Sequence, residues 1–316
     1  MILQILILLG SFFFLALAGK WLIDALSRIG VCLKLKEFVL AFFIMGVGAT
    51  LPNLIIGVTS ALKKIPELSF GDVMGANIFD LSLVVGLVTL ISRSGLSSSS
   101  RTIQGSSIFM MVIALLPIFL VLDGSLSRLD GIFLLAAFAT YTCWLFSKKD
   151  RFTKVYKNCP LKFSTWEIVK DTFTITAGLL IIFIGGQGVV YSATFFYETF
   201  HLPLGLIGMF VVAIGTCMPE TFFSLQAARK GQDWMILGNL MGNVIITSTF
   251  VLGIVSLIAP IKIVDFSPFA IARLFLIIAV LFFIFFVKTG HKITRREGLV
   301  LIGVYIAFLI VEILTR

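Results

Sequence analysis

The feature that most constrains this chain is a near-continuous succession of apolar stretches, each about as long as a lipid bilayer is thick. There are ten, at approximately 2–26, 38–62, 70–92, 104–122, 130–146, 168–196, 203–227, 235–259, 267–287 and 297–314. A transmembrane helix needs about 20 apolar residues, and these runs lack the alternation of β-barrel strands. Hydrophobic residues make up 59% of the 316 residues and charged residues 13%, whereas soluble domains have roughly 45–50% and about 25%. A soluble enzyme and a disordered chain are therefore excluded. We expect an all-α polytopic membrane protein with ten transmembrane helices.

The basic residues indicate how these helices are oriented. The longest loop, 147–166, contains six of them: Lys148, Lys149, Arg151, Lys154, Lys157 and Lys162. With that loop in the cytoplasm, 17 basic residues lie inside and five outside, in agreement with the positive-inside rule. The net charge of +9 is then mainly a topology signal, with a lipid-binding patch as the alternative, and no nucleic-acid partner is expected. The sequence predicts an N-out, C-out, multi-pass protein of the cell (inner) membrane.

An internal repeat relates the two halves of the chain. A constant offset of 167 residues aligns glycines and prolines without a gap over about 40 residues, including Gly48 with Gly215, Pro52 with Pro219, Gly71 with Gly238 and Gly75 with Gly242. We therefore divide the chain into a first repeat, 1–146, a basic cytoplasmic linker, 147–166, and a second repeat, 167–316. Each repeat has five spans, an odd number, so the second enters the membrane in the opposite orientation. This inverted-topology arrangement is typical of secondary transporters.

Prolines and glycines are expected to interrupt two spans in each repeat. Pro52 and Pro219 lie within the second span of each repeat, and the paired glycines lie within the third. Proline removes a helical hydrogen bond and frees a carbonyl, which is tolerated in a membrane only where protein or a cavity satisfies it. Freed carbonyls suit a hard cation. The alternative is that these residues are only packing kinks.

Polar residues near the interruptions favour a cation site. Asn53 and Glu220 follow the two prolines, and Asp80 and Thr247 follow 27 residues later. An intramembrane carboxylate is costly and marks an ion or proton pathway. The repeat symmetry predicts that these four residues surround one centre, whose oxygen ligands suit Ca²⁺, Na⁺ or H⁺ and suit soft transition metals poorly. The further expected donors are Thr50, Thr216, Asn77 and Asn243, with backbone carbonyls near Gly46 and Ala213.

These motifs resemble those of a known family. Two pairs of segments carry the resemblance. The first pair is Gly48-Ala49-Thr50-Leu51-Pro52-Asn53 and Gly215-Thr216-Cys217-Met218-Pro219-Glu220, and the second is Gly71-Asp72-Val73-Met74-Gly75-Ala76-Asn77 and Gly238-Asn239-Leu240-Met241-Gly242-Asn243-Val244. Together they are similar to the two repeat motifs of the cation/Ca²⁺ antiporters, the sodium/calcium exchanger superfamily. The motif regions are 43–86 and 210–253, and the resemblance covers essentially the whole chain. It implies a compact microbial exchanger that moves Ca²⁺ against Na⁺ or H⁺ by alternating access.

The chain departs from the family pattern at several ligand positions. The family usually has Glu after both prolines, but Asn53 follows the first here, and Cys217 replaces a usual Ser. Two carboxylates are then expected at the centre, Asp80 and Glu220, and we expect fewer monovalent ions per divalent ion than in electrogenic members. An H⁺-coupled or other-cation antiporter, or a non-transporting relative, stays open. No catalytic motif, cofactor or obligate protein partner is expected.

Overall fold

The computed structural model describes residues 1–32, 46–92, 95–147, 165–263 and 267–315. Within them the protein is almost entirely helical. The α-helices are α1 (Ile2–Cys32), α2 (Gly46–Leu62), α3 (Glu67–Phe79), α4 (Val85–Ile91), α5 (Arg101–Leu120), α6 (Arg128–Ser147), α7 (Thr165–Phe200), α8 (Leu204–Leu206), α9 (Ala213–Thr216), α10 (Met218–Arg229), α11 (Asp233–Ile246), α12 (Leu252–Ile258), α13 (Ser267–Lys288) and α14 (Arg295–Leu314). Segments of π-helix at Asp80–Val84, Ile207–Val212 and Thr247–Val251 join α3 to α4, α8 to α9 and α11 to α12.

The helices are long and apolar enough for a multi-pass membrane protein. Eight of them, counting α3–α4 and α11–α12 as single spans, reach membrane-spanning length, and the bent pair Leu204–Thr216 and Met218–Arg229 makes a ninth. Helix α2 has 17 residues, and residues 38–45, which the sequence assigns to the same span, lie outside the described residues. Ten spans and the N-out, C-out topology therefore stay predictions, as does the cytoplasmic linker, most of which (148–164) also lies outside the described residues.

Corresponding elements recur 167 residues apart. The π-helix Asp80–Val84 corresponds to Thr247–Val251, α4 to α12, and α6 to α14. Four two-residue strands, β1 (Leu96–Ser97), β2 (Ser125–Leu126), β3 (Ile261–Lys262) and β4 (Lys292–Ile293), pair across the halves: β1 is antiparallel to β4 and β2 to β3. Each strand thus pairs with a strand from the other half of the chain.

Two spans form the centre of the protein. In the spans Glu67–Ile91 and Asp233–Ile258, 78% of the apolar stretch is buried, against 33% in Ile2–Leu26 and Val169–Phe200. These central spans also contain buried acids and amides, namely Asp72, Asn77, Asp80, Asn239 and Asn243, which would be costly to expose to lipid. Polarity therefore explains why these spans lie inside, while the outer helices expose large apolar residues such as Leu129 and Phe173.

The paired glycines of the first repeat have a different role from the one expected. Helix α3 continues through Gly71 and Gly75 without a break. A Cβ atom at Gly71 would lie 2.0 Å from the carbonyl oxygen of Gly205, and one at Gly75 would lie 2.2 Å from that of Met209. These glycines let two backbones approach closely. The irregular segment of this span is instead the π-helix that begins at Asp80, and such segments are frequent at functional sites.

The two prolines also differ from each other. Pro52 lies inside the helix α2, which continues through it. Pro219 lies in the first turn of α10, where its missing N–H has no helical partner to lose. The chain bends by 41° between α9 and α10, at Cys217. The expected interruption is therefore found in the second repeat and not at Pro52.

Candidate cation-binding site

Two fully buried carboxylates, one from each half of the chain, meet at the centre of the protein. Asp80 begins the π-helix after α3, and Glu220 lies in the first turn of α10. The side-chain amide of Asn243, on α11, donates to both: its Nδ2 is 2.5 Å from Asp80 Oδ2 and 2.9 Å from Glu220 Oε1. Three of the residues predicted from sequence therefore form one cluster, and the amide fixes the relative position of the two acids.

A sulfur atom also belongs to this cluster. One carboxylate oxygen of Asp80, one of Glu220 and the Sγ atom of Cys217 all lie within 4.8 Å of one another. Cys217 is buried at the bend between α9 and α10. The donor set predicted from sequence contained oxygen atoms only, so this sulfur is an addition that the structure makes.

A third buried carboxylate, Asp72, lies beside two of the predicted residues. Asn53 Nδ2 donates to Asp72 Oδ2 at 3.0 Å, and Thr216 Oγ1 donates to Asp72 Oδ1 at 3.0 Å. All three side chains are buried. Asp72 is not among the site residues predicted from sequence, although, like Asp80, it is an acid within an apolar span. The structure thus adds a third buried carboxylate beside the predicted residues, and the expectation of two carboxylates at the centre stays a prediction.

Several oxygen atoms of these residues have no hydrogen-bond donor. Among the described residues, the buried atoms Asn53 Oδ1, Asp80 Oδ1, Glu220 Oε2 and Asn243 Oδ1 accept no hydrogen bond. A buried acceptor without a partner costs about 1–3 kcal/mol, and more if it is charged. Buried acceptors of this kind can be satisfied by a cation. The arrangement therefore suits the binding of a metal ion or of protons.

The side chains of Asn77 and Thr247 join the two central spans. Thr247 Oγ1 donates to Asn77 Oδ1 at 3.1 Å and to the Asn243 carbonyl at 2.8 Å, and Asn77 Nδ2 is 2.8 Å from Ser248 Oγ. The structure thus brings these two predicted residues together, but hydrogen-bonded to each other. Their role as ligands stays a prediction.

The remaining predicted donors lie on the helices that flank the central spans. Thr50 Oγ1 donates to the carbonyl of Gly46 at 3.0 Å, and Thr216 Oγ1 donates to that of Ala213 at 3.1 Å. In both halves a hydroxyl therefore caps the carbonyl that we expected to face the ion. Thr216 also contacts Asp72, whereas the hydrogen bonds described for Thr50 stay within its own helix.

Comparison with known proteins places the chain in a family. The sequence model of the family described as "Sodium/calcium exchanger protein" matches residues 3–147 and 170–314. The chain belongs to the sodium/calcium exchanger family. The two matched segments begin, and also end, 167 residues apart (170 − 3 and 314 − 147), which is the offset of the internal repeat. The resemblance inferred from the motifs is confirmed.

The similarity to individual relatives extends over the whole chain. The chain is 25% identical to "Sodium/calcium exchanger MaX1" of Methanosarcina acetivorans, over 97% of each chain. It is 25% identical to "Putative antiporter CaxA" of Alkalimonas amylolytica, over 96% of each. Among solved structures, the sodium-calcium exchanger NCX_Mj soaked with Na⁺ and Sr²⁺ matches with a TM-score of 0.70 and 25% identity over 98% of both chains. This member of the family is therefore a multi-pass membrane protein of a transporter type.

Proposed function

We propose that the protein is a secondary antiporter that exchanges Ca²⁺ for Na⁺ at a site formed by Asp72, Asp80 and Glu220. The observation that carries this proposal is the meeting of buried carboxylates from both halves of the chain, with oxygen atoms that no donor satisfies. Asn53 and Asn243 supply further oxygen ligands. Ca²⁺ takes six to eight oxygen ligands from carboxylates and carbonyls, which this cluster provides.

The names of the relatives support the choice of ions. MaX1 and NCX_Mj are both described as sodium/calcium exchangers. The ions are the transported substrates, and the proposal includes no cofactor, catalytic reaction or obligate protein partner. The protein acts in the cell (inner) membrane with ten spans, as two inverted repeats with both termini outside.

The difference in burial between spans supports alternating access. The two central spans are mostly buried, whereas only 33% of the apolar stretch is buried in α1 and in α7. Helices α1 and α7 pack on each other along their length, with Gly178 against Leu22 and Gly188 against Ser11. We propose that this pair moves against the central spans, so that the site opens to one side of the membrane at a time.

The number of carboxylates bears on the coupling ratio. With Asp72 included, the centre has three acids, so three Na⁺ ions neutralise it and one Ca²⁺ leaves a single negative charge. We therefore replace the ratio expected from two carboxylates with three monovalent ions per Ca²⁺, with one net charge moved per cycle.

Flux measurements in proteoliposomes test the function. ⁴⁵Ca²⁺ uptake is measured under imposed Na⁺, H⁺ and voltage gradients, varied one at a time, and we expect the Na⁺ gradient to drive it. A reversal potential set by two Na⁺ per Ca²⁺ contradicts the ratio of three, and uptake driven only by a pH gradient contradicts Na⁺ coupling.

The variant Glu220→Gln tests the site. Removing one partner of a buried charged interaction costs about 2–5 kcal/mol, so uptake at limiting Ca²⁺ should fall by at least about 30-fold. Glu198→Gln, an exposed glutamate on α7, is the matched control and should transport normally. Uptake retained by Glu220→Gln removes Glu220 from the site.

A further inference from the structure

Cys217 occupies a position from which its thiol can contact a bound ion. It lies between α9 and α10, where the helix axis bends by 41°. Its Sγ atom and a carboxylate oxygen from each of Asp80 and Glu220 lie within 4.8 Å of one another. The hydrogen bond described for this thiol is a long contact of 3.9 Å to the carbonyl of Ala76. The sulfur therefore lies beside two acids.

The oxygen atoms around the thiol provide an independent indication of a ligand. Asp80 and Glu220 are fully buried, and each keeps one carboxylate oxygen, Oδ1 and Oε2, without a hydrogen-bond donor. A cysteine that merely fills space in an apolar interior has no such neighbours. Two unsatisfied acids and one sulfur atom are the donors of a mixed sulfur and oxygen metal site.

The spacing of the three atoms suits such a site. In a tetrahedral site with metal–sulfur and metal–oxygen distances of about 2.3 and 2.1 Å, neighbouring sulfur and oxygen ligands are about 3.6 Å apart. Atoms that lie up to 4.8 Å apart reach this spacing when they move together by roughly 1 Å. Side-chain rotation supplies a movement of that size.

Sulfur changes which divalent cations the site prefers. Thiolates favour soft and borderline metal ions, whereas carboxylates and carbonyls suit Ca²⁺ and other hard ions. In the first repeat the corresponding position is Thr50, which has a hydroxyl, so the sulfur is present on one side of the centre only. A soft ion is therefore drawn toward the side formed by Asp80 and Glu220.

We propose that Cys217, Asp80 and Glu220 together bind a thiophilic divalent cation such as Cd²⁺ or Zn²⁺, and bind it more tightly than Ca²⁺. The proposal concerns the same site as the proposed function and defines a second class of ion that it takes. The metal–sulfur bond replaces the S–H bond, and the thiol proton is released to the aqueous phase. Because the thiolate holds the ion, Cd²⁺ should occupy the site and block Ca²⁺ exchange.

The test compares variants of the purified full-length protein, with Cd²⁺ as the probe. Cys217→Ser replaces the sulfur by the oxygen of a residue of nearly the same size. The matched control replaces Cys32, Cys143 and Cys159 by Ser and keeps Cys217. Cd²⁺ binding is followed by the ultraviolet charge-transfer absorption of the cadmium–thiolate bond and by thermal stabilisation, and Cys217→Ala is added in case the serine variant misfolds.

We expect the charge-transfer band in the wild type and in the triple-cysteine control, and its loss in Cys217→Ser. Cd²⁺ affinity should fall by about tenfold or more in that variant because the sulfur ligand is gone.

Two results overturn the proposal: a band that persists in Cys217→Ser, or unchanged Cd²⁺ affinity in both single variants. The absorption band is independent of transport. If the wild type shows the band but no Na⁺-driven Ca²⁺ uptake, the proposed function fails and the thiol site stands.

Discussion

Replacing Gly75 by alanine tests whether close packing of the two halves positions the ion site. The added Cβ atom would lie 2.2 Å from the carbonyl oxygen of Met209 and 2.8 Å from Cβ of Ala213. Both contacts are to atoms that no side-chain rotation moves. Helix α3 and the segment 207–213 must therefore separate.

The distances set the size of the effect. An ordinary carbon–oxygen contact is about 3.4 Å or longer, so the two backbones must move apart by roughly 1.2 Å. Overpacking of this kind costs about 1–3 kcal/mol. At about 2 °C per kcal/mol, the low end of the range for large chains, the apparent melting temperature should fall by roughly 2–6 °C. Asp80 lies on the same span and Cys217 just beyond Ala213, so Ca²⁺ affinity should fall as well.

The measurement is thermal unfolding of the purified protein, with and without Ca²⁺. Gly303→Ala is the matched control, because a Cβ atom at this glycine of α14 meets nothing within 4 Å. We expect Gly303→Ala to melt at or slightly above the wild-type temperature, since alanine is the better helix former by about 1 kcal/mol. If Gly75→Ala and Gly303→Ala melt alike and bind Ca²⁺ alike, close approach at Gly75 does not position the site.

Three further predictions follow from individual contacts. Asp72→Asn should lower Na⁺-driven Ca²⁺ uptake by at least about tenfold, and adding Asn53→Glu should restore part of that uptake. If the double variant takes up no more Ca²⁺ than Asp72→Asn, a carboxylate at position 53 cannot replace the one at position 72. Arg28→Gln removes the 2.5 Å ion pair with Asp171 between α1 and α7. Because Arg28 is 53% exposed, we expect the free energy of unfolding to fall by about 0.2–1 kcal/mol, and by less in 1 M NaCl. If the difference in melting temperature from the wild type is the same at low and high salt, its cause is not electrostatic. Thr294→Ala removes the capping box of α14 and should cost about 0.5–2 kcal/mol in thermal unfolding measurements; an unchanged melting temperature would show that the cap is not limiting.

The helical spans could be predicted because hydropathy alone defines them. The predicted stretches 130–146 and 297–314 correspond to α6 (Arg128–Ser147) and α14 (Arg295–Leu314). The irregular segments were not predictable in the same way. A π-helix such as Asp80–Val84 changes only the hydrogen-bond register of a continuous helix, and this segment contains no proline or glycine that would mark it in the sequence. Likewise, position 75 requires a glycine because the backbone carbonyl of Met209 lies close to it. Met209 is far away in sequence, so the sequence alone does not indicate this contact.

The site was predictable where a residue was chemically unusual in its own span. Asp80 and Glu220 are acids among apolar residues, and the structure places them together through Asn243. Asp72 carried the same signal but was treated as one position of a glycine-rich motif. Cys217 was noted only as a replacement for the usual Ser and was not predicted to be a ligand, since a single cysteine in an apolar stretch is usually a small core residue. Its chemical significance depends on two carboxylates that the fold brings within 4.8 Å.

The repeat relates the positions of the acids in a way that explains the departure at Asn53. At the first pair of equivalent positions the chain has Asn53 and Glu220, and at the second pair it has Asp72 and Asn239. At these two positions each repeat thus has one carboxylate and one amide, in opposite order. In the first repeat the side chains of Asn53 and Asp72 are hydrogen-bonded at 3.0 Å. Asp72 therefore places a carboxylate next to the position after the proline, where Asn53 itself has no charge. A shift of this kind keeps the total charge of the centre and moves part of it from α2 to α3. Because neutralisation of the site depends on total charge, the coupling ratio should be preserved, while the positions of the individual ions should differ from those set by a glutamate after each proline.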